Sequence, residues 1–382
     1  MKKTPELLYK KIENQTIAWF ENSNKYVVLE DTTADILKKL NRGIYVKEIA
    51  QELSQKHGIP TDAAENFILD FQEKVSNQKE NKVNIKKQLT NDQRDIKTPE
   101  SFEYSEYYEV NDLIFKVSYL SEKERSLVHP KFAHLSREPS ATFDNEFEVF
   151  IHDKFIYLFV NKNLIGAWTN NDVHYFQGKF SMEFIQKIHQ KEEQEWMGVF
   201  HASAVSNGKK SILFLGDSGN GKSTSLALLQ ANGFTCLADD FVPIDINKQQ
   251  VYSFPAAISI KKSSLKTLLP FYPELATTTE YNFEQLQKIV RYLKPNNDSY
   301  FNHLPCKDLI FIKYEKEADL SCEKISNIEA FQQLIPDSWL SPKKENATVF
   351  LDWFETLNCY QITYSKNKKM IQAVSKIFNN DL

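Results

Sequence analysis

Ser211-Ile212-Leu213-Phe214-Leu215-Gly216-Asp217-Ser218-Gly219-Asn220-Gly221-Lys222-Ser223-Thr224-Ser225-Leu226-Ala227-Leu228-Leu229-Gln230 passes from a continuous apolar run, through a glycine-rich turn, into a helix-forming segment. The apolar run reads as a strand buried on both faces, and Leu226 to Gln230 reads as a helix that ends before Asn232-Gly233. Glycines at 216, 219 and 221 let the backbone curl so that successive N–H groups, with those of Asp217, Ser218 and Asn220, point at phosphate oxygens. The helix N-terminus formed by Lys222, Ser223 and Thr224 adds partial positive charge. This is the pattern of a phosphate-binding P-loop: Lys222 is expected at the outer phosphates and Ser223 at Mg²⁺, with ATP as the expected nucleotide.

Downstream, Phe234-Thr235-Cys236-Leu237-Ala238 reads as a second buried strand that delivers Asp239-Asp240 at its carboxyl end, where open parallel sheets place ligands. Two adjacent carboxylates repel unless a cation shares them. One is expected to hold the metal or its water and the other to accept a proton from an attacking hydroxyl. Upstream, Trp196 to Val205 reads as a strand feeding the Asn207-Gly208 turn, which places His201 near the nucleotide strand. A single imidazole reads first as structural.

The rest of the chain sets the context. Its 382 residues exceed one ordinary core. A net charge of -4 without a long basic run favours neither nucleic acid nor an anionic membrane. The charged start Met1-Lys2-Lys3-Thr4-Pro5-Glu6 and the lack of a long apolar stretch predict a cytoplasmic protein without a membrane partner. Cys236, Cys306, Cys322 and Cys359 have no zinc-ligand spacing and read as reduced thiols.

Residues 1–78 read as a hairpin, Trp19-Phe20 and Tyr26 to Leu29, followed by three amphipathic helices: the outline of a winged-helix domain. Residues 1 to 80 hold 12 Lys or Arg against 13 Asp or Glu, which weakens a DNA-binding reading. Residues 79–100 are polar and read as a linker. From Tyr104 to Phe180 the chain reads as an antiparallel β region, with strands at Phe147 to Ile151, Phe155 to Val160, Leu164 to Trp168 and Val173 to Phe176. Ser181 is expected to open a helix.

His201, Leu215 to Ser223, Leu229, Gly233 and Leu237-Ala238-Asp239-Asp240 together resemble the catalytic domain of HPr kinase, a bacterial serine kinase whose P-loop core is shared with phosphoenolpyruvate carboxykinase. The resemblance implies Asp239 as base, Asp240 as its partner or a metal contact, and His201 as a site residue beside them. Thr224 stands where bifunctional members commonly carry an acidic residue, and their Glu-Ile-Arg-Gly-Leu-Gly segment has no counterpart. A reverse phosphorylase reaction and recognition of HPr are therefore not implied. The chain is also similar to HPr kinase-related proteins found beside peptide-modification genes, through Ser253 to Lys261, Arg291 to Pro295 and Cys359 to Tyr364. Lys261 and Arg291 become candidate phosphate or substrate contacts. Tyr26 to Ala34 and Leu40-Asn41-Arg42-Gly43 resemble PqqD-like domains, which implies that a peptide strand adds to the edge of this sheet.

The expected architecture is thus α+β and α/β: a PqqD-like winged-helix domain at 1–78, a linker at 79–100, an antiparallel β-rich region at 101–195, and a phosphoenolpyruvate carboxykinase-like P-loop kinase domain at 196–382. The expected activity is ATP- and Mg²⁺-dependent phosphorylation of a Ser hydroxyl on a peptide or small protein. Two rivals remain, a nucleotide-switched peptide adaptor and an ATP-sensing DNA-binding regulator. The resemblance admits a homo-oligomer without specifying an interface.

Overall fold

The computed structural model describes residues 7–80, 90–283 and 288–381, without the side chains of residues 79, 80, 91 and 92. The charged start at residues 1–6 and residues 81–89 of the expected linker lie outside them. The chain divides into two compact units. One comprises Met1–Ile85, Ser326–Pro336 and Leu340–Thr356, and the other Lys86–Ile325, Asp337–Trp339 and Leu357–Leu382. The segments 326–336 and 340–356 were expected within the domain 196–382, but their contacts belong to the first unit.

In the first unit, β1 (Leu7–Ile12), β2 (Gln15–Phe20) and β3 (Lys25–Glu30) form an antiparallel sheet in the order β1-β2-β3. They are followed by α1 (Asp31–Asn41), α2 (Val46–His57) and α3 (Thr61–Glu80). Strand alternation splits the apolar residues of the sheet between two faces. Ala18, Phe20 and Leu29 share a core with Ala34 and Leu37 of α1 and Val75 of α3. On the opposite face Tyr26 meets Phe331 at 5.9 Å and Phe350 at 5.6 Å, from the helices Asn327–Leu334 and Lys344–Glu355. Burial on both faces explains why Ile17-Ala18-Trp19-Phe20 is apolar without alternation.

The second unit begins with a short helix, α4 (Asn91–Arg94). A five-stranded sheet follows: β4 (Tyr104–Val110), β5 (Leu113–Tyr119), β6 (Asn145–His152), β7 (Phe155–Val160) and β8 (Asn163–Thr169), paired in that order. It is not wholly antiparallel as expected. Helix α5 (Glu122–Phe132) crosses between β5 and β6, which therefore pair in parallel. Val173 to Phe176 is not a strand but the opening of α6 (Val173–His189), and Ser181 lies inside that helix. Val173, Phe176, Phe180 and Phe184 recur at helical spacing and are all buried, so tertiary packing overrides the β propensity of the short segment.

The expected single strand from Trp196 to Val205 is two: β9 (Trp196–Phe200) and β10 (Ser203–Ser206), broken at His201-Ala202. After them come β11 (Ser211–Leu215), α7 (Lys222–Gln230), β12 (Thr235–Ala238), β13 (Val242–Asp245) and β14 (Gln250–Tyr252). With β18 (His303–Tyr314) they build a mixed sheet whose neighbours run β12-β10-β11-β18-β14-β13-β9. A strand at Asn358–Tyr364 pairs in parallel with β18. A separate antiparallel sheet joins β15 (Ile258–Lys261), β17 (Lys288–Leu293) and β16 (Tyr281–Phe283) in the order β15-β17-β16. Among the described residues no helix is long and apolar enough to cross a membrane, and all four cysteines are free.

Two histidines of this unit make its stability pH-dependent. Burial holds His189 and His134 down at about 4, against an ordinary 6.5. Above pH 6.5 both are neutral folded and unfolded. Between 6.5 and 4 the unfolded chain takes up protons that the fold refuses, so stability falls as pH falls, by at most about 3 kcal/mol per histidine. Thermal melts at pH 7, 5.5 and 4.5 are expected to show a steady decline, and a flat profile would contradict it.

Candidate active site

Strand directions alone bring the expected residues to one end of the sheet. β10 runs antiparallel to both β11 and β12, so those two strands point the same way on either side of it. The loop after β11 and Asp239-Asp240 after β12 therefore emerge together, and His201, just before β10, returns to the same end.

The loop is shaped by positive φ at Gly216 (131°), Gly219 (104°) and Gly221 (96°). At Gly216 a Cβ would lie 2.8 Å from the Ile312 carbonyl oxygen, so neither the φ nor the space admits a side chain. Gly221 caps α7, and the Tyr314 N–H donates to Asn220 O at 3.0 Å, tying the loop to the end of β18. Lys222, 8% exposed, folds back to donate from Nζ to the carbonyl oxygens of Gly216 and Asp217. Burial lowers its pKa, against the pull of Asp240, Asp239 and other carboxylates.

The two aspartates have different environments. Asp239 is 2% exposed. Its Oδ1 accepts from Ser203 Oγ at 2.6 Å and Ser223 Oγ at 3.1 Å, and its Oδ2 accepts from the Ser259 N–H at 3.1 Å. Burial and the charge of Asp240 nevertheless push its pKa up. Asp240 lines the cleft with its backbone in the left-handed region, φ 67°. Burial opposes its charge, but Lys288, Lys131, His201 and Lys222 outweigh that and hold it at about 2. The Lys288 ammonium is 3.7 Å from Asp240 Oδ2.

The cleft has a volume of ≈ 300 Å³ and is lined by His201, Asp217, Ser218, Gly219, Gly221, Lys222, Ser223, Thr224, Asp240 and Lys261, along with Lys288, Ser259 and Tyr314. Lys261 donates to Ser218 Oγ of the loop at 2.9 Å, and Thr224 exchanges a hydrogen bond with Ser264 at 2.7 Å. Asn220 and Gly216 shape the loop without lining the cleft. Arg291 stands apart: its guanidinium donates to the carbonyl oxygens of Leu275 and Ala276 and faces Glu280. The pairings Ser259↔Tyr292 and Lys261↔Val290 explain this. Alternation puts Lys288, Val290 and Tyr292 on the face of Ser259 and Lys261, and turns Arg291 to the opposite face with Ile260.

Sequence reasoning missed Lys288, Lys131, Ser203 and Ser259. Strand parity was an available signal for Lys288. Lys131, on α5, has no local signal because only tertiary folding brings it near Asp240.

Chemically, the site offers backbone N–H groups and Lys222 at a helix N-terminus, with Lys261 reaching the loop from β15, which suits a phosphate chain. Mg²⁺ needs only one or two protein oxygens when phosphates supply others. Ser223 Oγ, joined to Asp239, fits that demand. Among the described residues no group of three or more His, Cys, Asp or Glu could hold a metal by itself, so a cation here depends on its ligand's oxygens.

No family model and no curated protein matches the chain. Among solved structures, the Hpr(Ser) kinase/phosphatase from Coxiella burnetii matches over 48% of this chain and 91% of that one, at 11% identity and a TM-score of 0.23. A likeness at that score constrains neither fold nor function.

Proposed function

We propose that the second unit transfers the γ-phosphoryl group of ATP to a hydroxyl, the Ser side chain of a peptide or small protein. The observation that carries this reading is the convergence of a P-loop and an aspartate pair on one cleft, with Asp239 bonded to the P-loop Ser223 and Asp240 left facing the cleft.

The loop N–H groups and Lys222 bind and orient the phosphates, and Lys261 approaches them from the facing strand. Mg²⁺, held by Ser223 on the side of Asp239, would neutralise phosphate charge. Asp240, ionised and open, accepts a hydrogen bond from the acceptor hydroxyl and aligns it. As the new O–P bond forms and the bond to the bridging oxygen of ADP breaks, the hydroxyl proton passes to Asp240. A weak base suffices, because phosphoryl transfer has a loose transition state in which the proton leaves late. The geometry thus favours Asp240 as base and Asp239 as the metal-side partner, the reverse of the assignment implied by resemblance.

The first unit is proposed to hold the peptide. Among the described residues β1 and β3 each pair only with β2, so both are edge strands of the kind that strand addition requires. Its balanced charge disfavours DNA.

Incubation with ATP, Mg²⁺ and peptides encoded beside the gene is expected to add one phosphate to a peptide, read by mass spectrometry. Tight ATP binding with no transfer to any of them would favour the adaptor instead.

A further inference from the structure

We infer that Lys131, Lys288 and Ser259 form an anion subsite on the acceptor side of the cleft, so that the phosphorylated hydroxyl belongs to a molecule carrying a carboxylate or phosphate beside it. This rests on the kinase reading above.

The donor side already has its cations: Lys222 within the loop, and Lys261 bonded to Ser218 Oγ. Around Asp240 the leading cations are others. Lys288 stands 3.7 Å from its Oδ2, and Lys131 is held beside the start of β15 by the Ala257 N–H, which donates to its carbonyl oxygen at 2.8 Å. Of the aspartate pair, Asp240 is the one open to them, since both oxygens of Asp239 are engaged by Ser203, Ser223 and Ser259. Lys288 and then Lys131 are the leading charges acting on that carboxylate.

Lys131 makes no side-chain hydrogen bond or ion pair among the described residues. Burial lowers its pKa, and among the described residues no carboxylate is bonded to it to offset that burial. Ser259 supplies a second, independent observation. It is 6% exposed, it lines the cleft, and its Oγ has no hydrogen-bond partner, although its own N–H is spent on Asp239. A buried hydroxyl aimed into a cleft without a partner is a group awaiting a ligand. Strand alternation puts it on the same face of the small sheet as Lys288. A hydroxyl donor and two ammonium groups together suit a carboxylate or phosphate oxygen.

The test is calorimetry in two stages. The protein is first titrated with the non-hydrolysable ATP analogue AMP-PNP and Mg²⁺, which fills the γ-phosphate position, and then with inorganic phosphate. One further phosphate is expected to bind, roughly tenfold or more weakly in Lys131→Met and in Lys288→Gln. Lys288 is partly exposed, so Lys288→Gln keeps the test valid should Lys131→Met melt early. Displacement of the phosphate by a Ser-Glu-Glu peptide assigns the anion to a peptide side chain, and displacement by glycerate assigns it to a free hydroxy acid. If AMP-PNP does not bind, the kinase reading fails at the first stage and the subsite falls with it. If AMP-PNP binds but phosphate does not, or binds both variants as well as the parent, the subsite alone is overturned.

Discussion

Asp240→Asn is expected to slow phosphoryl transfer about a thousandfold while leaving ATP binding equal or tighter. Asn is nearly isosteric with Asp and tolerates the left-handed backbone at φ 67°, so the fold should be kept. What is lost is the acceptor for the hydroxyl proton. Binding does not suffer, because removing the carboxylate frees Lys288 and Lys131 to attract phosphate. Single-turnover rates beside equilibrium ATP titrations separate the two effects. Transfer that survives in Asp240→Asn and vanishes in Asp239→Asn would restore Asp239 as the base. The acid limb of the rate profile supplies a second check. Asp240, held at about 2, stays ionised across the working range, so a rate that falls between pH 6 and 5 must be traced to another group.

Lys222→Met should weaken ATP binding by roughly ten- to a hundredfold, the loss expected for a charge-assisted contact, and remove transfer almost entirely. Its effect on stability should be of opposite sign. Lys222 is buried and its pKa is lowered, so the fold holds its charge at a cost that a thioether does not carry. The carbonyl oxygens of Gly216 and Asp217 lose their donor, which offsets part of the gain. The melting temperature is therefore expected to stay level or rise by a few degrees, with ATP no longer raising it further. A drop of ten degrees or more would mean that Lys222 is chiefly a strut for its own loop.

Much of the site could be read from local sequence because its parts are local. A glycine-rich loop between an apolar strand and a helix is set by neighbouring residues, and Asp239-Asp240 at the end of the next strand follows from strand length. The difference between the two aspartates' environments was not local. It depends on Ser203 and Ser259 reaching Asp239 from strands on either side, which closes that carboxylate and leaves Asp240 open. Arg291 and Lys288 make the same point at the scale of one residue. Both lie on β17, and only the register with β15 shows which side chain faces the cleft.

The sequence by itself determined the glycine-rich loop, the helix behind it and the three helices of the first unit, because glycine conformation, helix caps and apolar periodicity act over a few residues. It could not determine that β5 and β6 pair in parallel around α5, that Val173 opens a helix, or that residues 326–336 and 340–356 complete the first unit. Those outcomes depend on which apolar surfaces meet, and burial does not respect distance along the chain. The lysines around Asp240 are of the same kind: α5 and β17 lie far apart in sequence, and only the folded chain brings their charges to one carboxylate.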